Sequence, residues 1–411
     1  MSGIEGSAAL LRGRPIHGFF RRRCKADNLA GSLSPTALSA AFNPFAWEAA
    51  HVSAIGQAPL RDAPLIEAGD FARISPDIDL WDAWPVQDAA GNPAVLGNGD
   101  TLWMALAAPH RDDPDERHGL ARIHLFQCAG GGWRHLGPLF PEGFTPGSRE
   151  WSGSAVLADD GHSLTIYFTA TGVRGESTLS FGQRLFSARA TLQAQGDGYR
   201  FEAWRDLTEF VSRDPAWYMA SDAGTGSVGT IKAFRDPAYF FDAASGEHWV
   251  FFAASLANST SPFNGAVGAA VSTDPARDNW TILPPVVSAD GLNNELERPH
   301  VVVHGGSYYL FWSTQAHVFN PEGPVGPTGL YGLVSDRLDG GWRPLNGTGL
   351  VFANPLEAPA QAYSWLVLPD LSVISFVDDW GRGPDEPRRF GASFAPALHL
   401  QLDGANAALA D

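Results

Sequence analysis

The chain has 411 residues, 28 basic and 45 acidic side chains, a formal charge of −17, and 44% hydrophobic against only 18% charged residues. That apolar content excludes a disordered chain, and the acidic balance repels phosphate backbones and so excludes nucleic acid as a natural partner. At about 150 residues per domain the length admits two or three domains, or one large barrel or propeller.

Residues 1–50, rich in Ser, Gly, Ala and Arg, read as a poorly ordered leader with a short helix over Ser34 to Phe42, capped by Ser34 and started by Pro35. The leader lacks the apolar core of a secretory signal, and its basic cluster, Arg21 to Arg23, comes late. No apolar run in the chain is long enough for a membrane-crossing helix. Cys24 and Cys128 cannot build a disulfide scaffold or a Cys-based zinc cluster, and leave one long-range disulfide open. Only two cations are lysines, Lys25 and Lys232.

From Ile74 onward strands dominate. Thr101 to Ala107, Ala121 to Cys128, Ser163 to Ala170, Arg184 to Thr191, His248 to Ala253, Ser307 to Trp312 and Leu371 to Val377 are short apolar or aromatic runs. Asp160-Gly161, Ser245-Gly246 and Gly305-Gly306 punctuate them as turns. No segment carries a long 3.6-residue apolar stripe, which argues against βαβ units and leaves a large sandwich or a β-propeller. With no composition shift after Ile74, residues 51–411 read as one all-β domain.

Three acidic motifs stand out. In Trp81-Asp82-Ala83-Trp84-Pro85 the carboxylate sits between two indoles, which can desolvate it; the same pattern also suits a turn-forming Asp bonded to its own backbone. In Phe234-Arg235-Asp236-Pro237 the proline pushes Asp236 toward extended geometry, and Arg235 offers a planar fork of donors. Arg213-Asp214-Pro215 repeats the tripeptide as a plain turn. In Glu295-Leu296-Glu297-Arg298-Pro299-His300 the two glutamates face one side if they lie on a strand. Two carboxylates sharing a pocket raise the pKa of one of them, as a general acid requires; the bland alternative is an exposed strand.

Together with Glu150-Trp151-Ser152-Gly153-Ser154, Gly326-Pro327-Thr328-Gly329-Leu330-Tyr331-Gly332 and Gln361-Ala362-Tyr363-Ser364, these motifs run in the order seen in glycoside hydrolase family 68. The chain resembles that family, which holds levansucrases, inulosucrases and β-fructofuranosidases, from about Ile74 to Pro396. The resemblance implies a five-bladed β-propeller with a central acidic pocket, a levansucrase-type fructosyltransferase acting on sucrose through a covalent fructosyl-enzyme. An invertase-like β-fructofuranosidase that transfers mainly to water is the alternative. It implies Asp82 as nucleophile, Asp236 as transition-state stabiliser and Glu297 as general acid/base. It further implies substrate contacts from Trp81, Trp151, Ser152, Arg235, Glu295, Arg298, His317 and Tyr363. Partners are sucrose and fructan or sugar acceptors, with no cofactor and no membrane. The resemblance implies an extracellular or periplasmic location; no signal peptide is recognisable, which leaves the cytoplasm open as well.

Two departures matter. Some members bind calcium through an Asp immediately before the E-x-E; Asn294 stands there, so no metal site is expected. Many levansucrases carry Phe-Glu-Gly-Asn after the Asp236 motif, where this chain reads Phe252-Ala253-Ala254-Ser255-Leu256-Ala257-Asn258, with Phe263-Asn264-Gly265 beyond. The resemblance places that change near the pocket, where it bears on polymer formation.

Overall fold

The computed structural model describes residue 42 and residues 44–57, 62–223, 230–381 and 388–410. The helix expected over Ser34 to Phe42 lies outside these residues except for Phe42, which is not helical. Among the described residues the strands form five antiparallel blades, two of which share one eight-stranded sheet. The expected runs all appear as strands; several are longer, for example Thr101–Pro109 and Gln183–Gln195, while Leu371 and Ala121 fall outside Ser372–Val377 and Arg122–Ala129.

Each blade begins with an inner strand: Ile78–Gln87, Arg149–Leu157, Phe234–Asp242, Glu297–His304 and Ala362–Val367. Consecutive inner strands touch, and the last touches the first, which closes a ring about a central axis. Blades one and two are also stitched by parallel pairing of Val86 with Ala155 and Gln87 with Val156. Ring closure packs the inner strands against one another and leaves the outer strands of the blades as the sheet edges. The third-blade strand Gly265–Ser272 is buried throughout and built of small residues for a steric reason. A Cβ on Gly268 would meet the Phe252 ring at 2.2 Å.

The inner strands share one irregularity. Their pairing with the second strand slips between Trp81 and Trp84, Trp151 and Gly153, Arg235 and Ala238, Glu297 and His300, and Tyr363 and Leu366. A bulge re-aims side chains that a regular strand would alternate across the sheet. At four of the five, a non-glycine residue takes the left-handed region: Asp82 (φ 50°), Asp236 (62°), Arg298 (49°) and Ser364 (63°). Such backbone costs about 1–3 kcal/mol each and persists only where its surroundings enforce it.

This corrects the extended geometry expected of Asp236. The bulge overrides the preference imposed by Pro237, and the Asp236 N–H donates to Thr169 Oγ1 at 2.9 Å. Arg213-Asp214-Pro215 does form a turn, with Asp214 O accepting from Tyr218 N at 2.9 Å.

The fifth bulge is tight rather than left-handed. A Cβ on Gly153 would lie 1.9 Å from Tyr167 O on the neighbouring strand. Gly153→Ala is therefore expected to destabilise by roughly 3 kcal/mol, read as a lowered denaturation midpoint; an unchanged midpoint would show that the strand yields.

The domain boundary expected at residue 50 falls inside packed structure. Phe45–Ala46 pairs in parallel with Val287–Ser288, and Trp47 is 1% exposed. Its ring packs on Trp312 and Tyr331 at 5.4 and 5.1 Å, while Nε1 donates to Thr348 O at 3.0 Å. A single large aromatic anchors the segment, which composition alone cannot reveal. No helix among the described residues is long and apolar enough to cross a membrane.

Candidate active site

The bulges deliver the acidic motifs to one end of the axis. Asp82 Oδ2 accepts from Ser152 Oγ at 2.9 Å, and the Ser364 hydroxyl also bonds the Asp82 carboxylate. Ser364 is in turn held by Arg298, whose Nη1 reaches Ser364 Oγ at 2.9 Å and whose Nη2 reaches Ala83 O at 2.7 Å. Blades one, two, four and five thus converge on one carboxylate. Asp82 bonds side chains of other blades.

Arg235 organises the opposite wall. Its Nη2 lies 2.6 Å from Glu297 Oε1 and 3.7 Å from Glu295 Oε1, and its Nε lies 3.6 Å from Asp236 Oδ2. The Tyr363 hydroxyl donates to the other Glu297 oxygen. Glu295 sits in the loop ahead of the strand that Glu297 begins, not on it as the i, i+2 argument assumed. The two carboxylates still share Arg235.

Depth separates the four acids. Asp82 and Glu297 are half-buried, whereas Asp236 and Glu295 are 7% and 6% exposed. Burial pushes the Asp82 carboxyl up, against the pull of Arg298. Burial also raises Asp236 and Glu295, helped by the neighbouring Glu297 charge and opposed by Arg235. Among the described residues, the buried Arg235 Nη1 has no hydrogen-bond partner. A buried guanidinium N–H is rarely left unmatched, so this donor suits a ligand hydroxyl.

The remaining expected residues surround the same site. Trp81 is buried against Arg117, whose guanidinium lies 5.5 Å from the ring centre, and Trp151 is half-buried with the Arg235 guanidinium 6.0 Å from its centre. His317 is exposed on the one-turn segment Ala316–Val318, where the Glu297 and Asp378 charges act on it. Arg298 lies beneath the floor, bonded to protein oxygens, so its contact with the pocket runs through Ser364 and Asp236.

Sequence reasoning passed over three participants. Ser364 stood in a quoted motif without a role, Thr169 had no signal at all, and Lys232 was conspicuous only as one of two lysines. The Lys232 ammonium bonds Asn294 Oδ1 at 2.7 Å. Among the described residues no cluster of three or more His, Cys, Asp or Glu side chains is arranged to hold a metal ion.

A family model described as levansucrase/invertase, glycoside hydrolase family 68, matches residues 39–264 and 258–411. A levansucrase from Rahnella aquatilis is 30% identical over 405 residues, covering 88% of this chain and 93% of its own. An inulosucrase from Halalkalicoccus jeotgali bound to kestose superposes with a TM-score of 0.80 at 34% identity, over 89% of this chain and 95% of its own. The catalytic domain of a Microbacterium saccharophilum β-fructofuranosidase gives a TM-score of 0.79 at 25% identity, over 90% and 91% of the two chains.

Proposed function

Because the chain belongs to the levansucrase/invertase family, glycoside hydrolase family 68, we propose that it cleaves sucrose and passes the fructosyl unit to a fructan, to sucrose or to water. The observation that carries this reading is the contrast between the two accessible carboxylates. Asp82 takes hydrogen bonds from the Ser152 and Ser364 hydroxyls and is only half-buried, as a nucleophile open to substrate needs. Glu297 is clamped by a guanidinium and a phenol, as a group that gives and takes a proton needs.

In the first step Asp82 attacks the anomeric carbon of the fructosyl unit while Glu297 protonates the departing glucose oxygen. In the second, Glu297 takes a proton from the acceptor hydroxyl as it displaces Asp82. Asp236 and the free Arg235 N–H bind fructosyl hydroxyls as positive charge develops on the ring. Trp81 and Trp151 wall the sugar, Glu295 holds hydroxyls beneath it, and His317 and Tyr363 face the leaving group and acceptor. Residues 51–411, with the segment around Trp47, act as one catalytic domain in this reading.

On sucrose, glucose release is expected to exceed free fructose, with oligomers or polymer carrying the difference. Chromatography of an overnight reaction checks this. Equal glucose and fructose without oligomers would make the chain an invertase-like hydrolase instead. Action in the periplasm or medium is part of the proposal, and sucrose-cleaving activity confined to the cytoplasmic fraction of producing cells would overturn it.

A further inference from the structure

We propose that Lys232 is a positioning residue for this pocket, pinning the segment that carries Glu295 and placing a positive charge beside that carboxylate. The inference rests on the reading of the site as a sucrose-cleaving one.

The Lys232 side chain is buried, and its ammonium donates to Asn264 Oδ1 at 2.8 Å, Asn294 Oδ1 at 2.7 Å and Pro262 O at 2.5 Å. These three acceptors match the three donors of an ammonium, and all are neutral. A buried cation caged only by neutral oxygens projects its charge outward, because no carboxylate in the cage cancels it. The nearest beneficiary is Glu295, the residue after Asn294. The Asn294 amide lies 3.5 Å from Glu295 Oε1; burial and the Glu297 charge raise the Glu295 carboxyl, and Arg235 and, to a lesser degree, Lys232 oppose this.

The position also ties three blades. Lys232 O accepts from Gln183 Nε2 of blade two at 2.9 Å, and Gln183 Oε1 accepts from Phe234 N at 3.0 Å, next to Arg235. Asn264 heads a third-blade strand, and Asn294 leads into the inner strand of blade four. One side chain therefore fixes the loop of Glu295 relative to the strand of Arg235 and Asp236.

Electrostatic need gives the cation its purpose. The pocket brings Asp82, Asp236, Glu295 and Glu297 together against Arg235 and Arg298, with Tyr363 and His317 facing Glu297. Arg117 also acts on Asp82, and Lys232 adds a positive charge on the Glu295 side. Its identity is constrained too, because a planar guanidinium cannot direct donors to three oxygens around one point. In a chain whose cations are otherwise almost all arginine, this explains a lysine here.

Two variants test the idea by initial rates of glucose release from sucrose across pH. Lys232→Met removes charge and cage, and Asn264→Asp keeps the lysine and the side-chain size and neutralises the charge in place, at the loss of the Asn264 Nδ2 bond to Leu256 O. Lys232→Met is expected to lower kcat/KM at least tenfold. Both variants should move the acidic limb of the kcat/KM profile upward by roughly half a pH unit, because losing a nearby positive charge favours neutral carboxyls. A purely structural lysine would leave that limb in place in Asn264→Asp. An unmoved limb in Asn264→Asp, or a Lys232→Met enzyme within twofold of wild type, overturns the proposal. If Lys232→Met does not fold, Asn264→Asp decides alone. An inactive wild-type protein would instead refute the functional reading.

Discussion

Asp82→Asn is expected to abolish sucrose turnover, by roughly 10⁴-fold or more in kcat, while leaving the protein as stable as wild type or more so. The kinetic half follows from the role: an amide oxygen does not form the covalent ester, so the two-step route is closed. The stability half follows from the pocket. Burial raises the Asp82 carboxyl above its ordinary value despite Arg298, Ser152 and Ser364. A carboxyl raised on folding favours the protonated form, so its ionisation destabilises the native state once pH passes the unfolded value near 3.8, and fully above the folded one. At neutral pH the neutral amide escapes that penalty. It also accepts from Ser152, and asparagine tolerates the left-handed backbone found at φ 50°. The check is a kinetic assay paired with a thermal melt. Near-wild-type turnover would remove Asp82 from the mechanism, and a large fall in the melting temperature would assign the loss to misfolding.

Much of this site was legible in the sequence, for a definite reason. The bulges fall inside short motifs, so each functional side chain travels with aromatic and proline neighbours that mark it, as Asp82 does between Trp81 and Trp84. What linked the motifs was their order, because residues as distant as Asp82 and Ser364 meet only through ring closure. Local rules failed where the pocket overrides them. Proline predicted an extended Asp236, yet the bulge turns it left-handed. Strand alternation predicted that Glu295 and Glu297 share a face, yet they converge because Arg235 lies between a loop and a strand. Thr169 and Lys232 were illegible because their importance lies in backbone and amide groups they meet from other blades. Trp47 was missed because composition cannot tell a loose leader from one anchored by a single buried indole.

Glu297→Gln is expected to separate the two chemical steps. On sucrose the variant should lose roughly 10²–10⁴-fold in kcat, since the departing glucose oxygen no longer receives a proton. A donor whose leaving group needs no proton, such as fructosyl fluoride, bypasses that requirement in the first step only. The second step still lacks a base to draw a proton from the acceptor, so the fructosyl ester on Asp82 should accumulate. The surroundings permit the substitution: Gln Oε1 can accept from Arg235 where Glu297 does at 2.6 Å, and the Tyr363 hydroxyl can turn from donor to acceptor. Acid quenching followed by mass analysis of the Asp82 peptide reads the result directly. A fructosyl adduct with the fluoride, alongside weak glucose release from sucrose, is the expected pattern. Equal loss on both donors with no adduct would mean that Glu297 orients substrate instead of moving a proton. Full activity on sucrose would shift the acid role to Glu295, the other glutamate on Arg235.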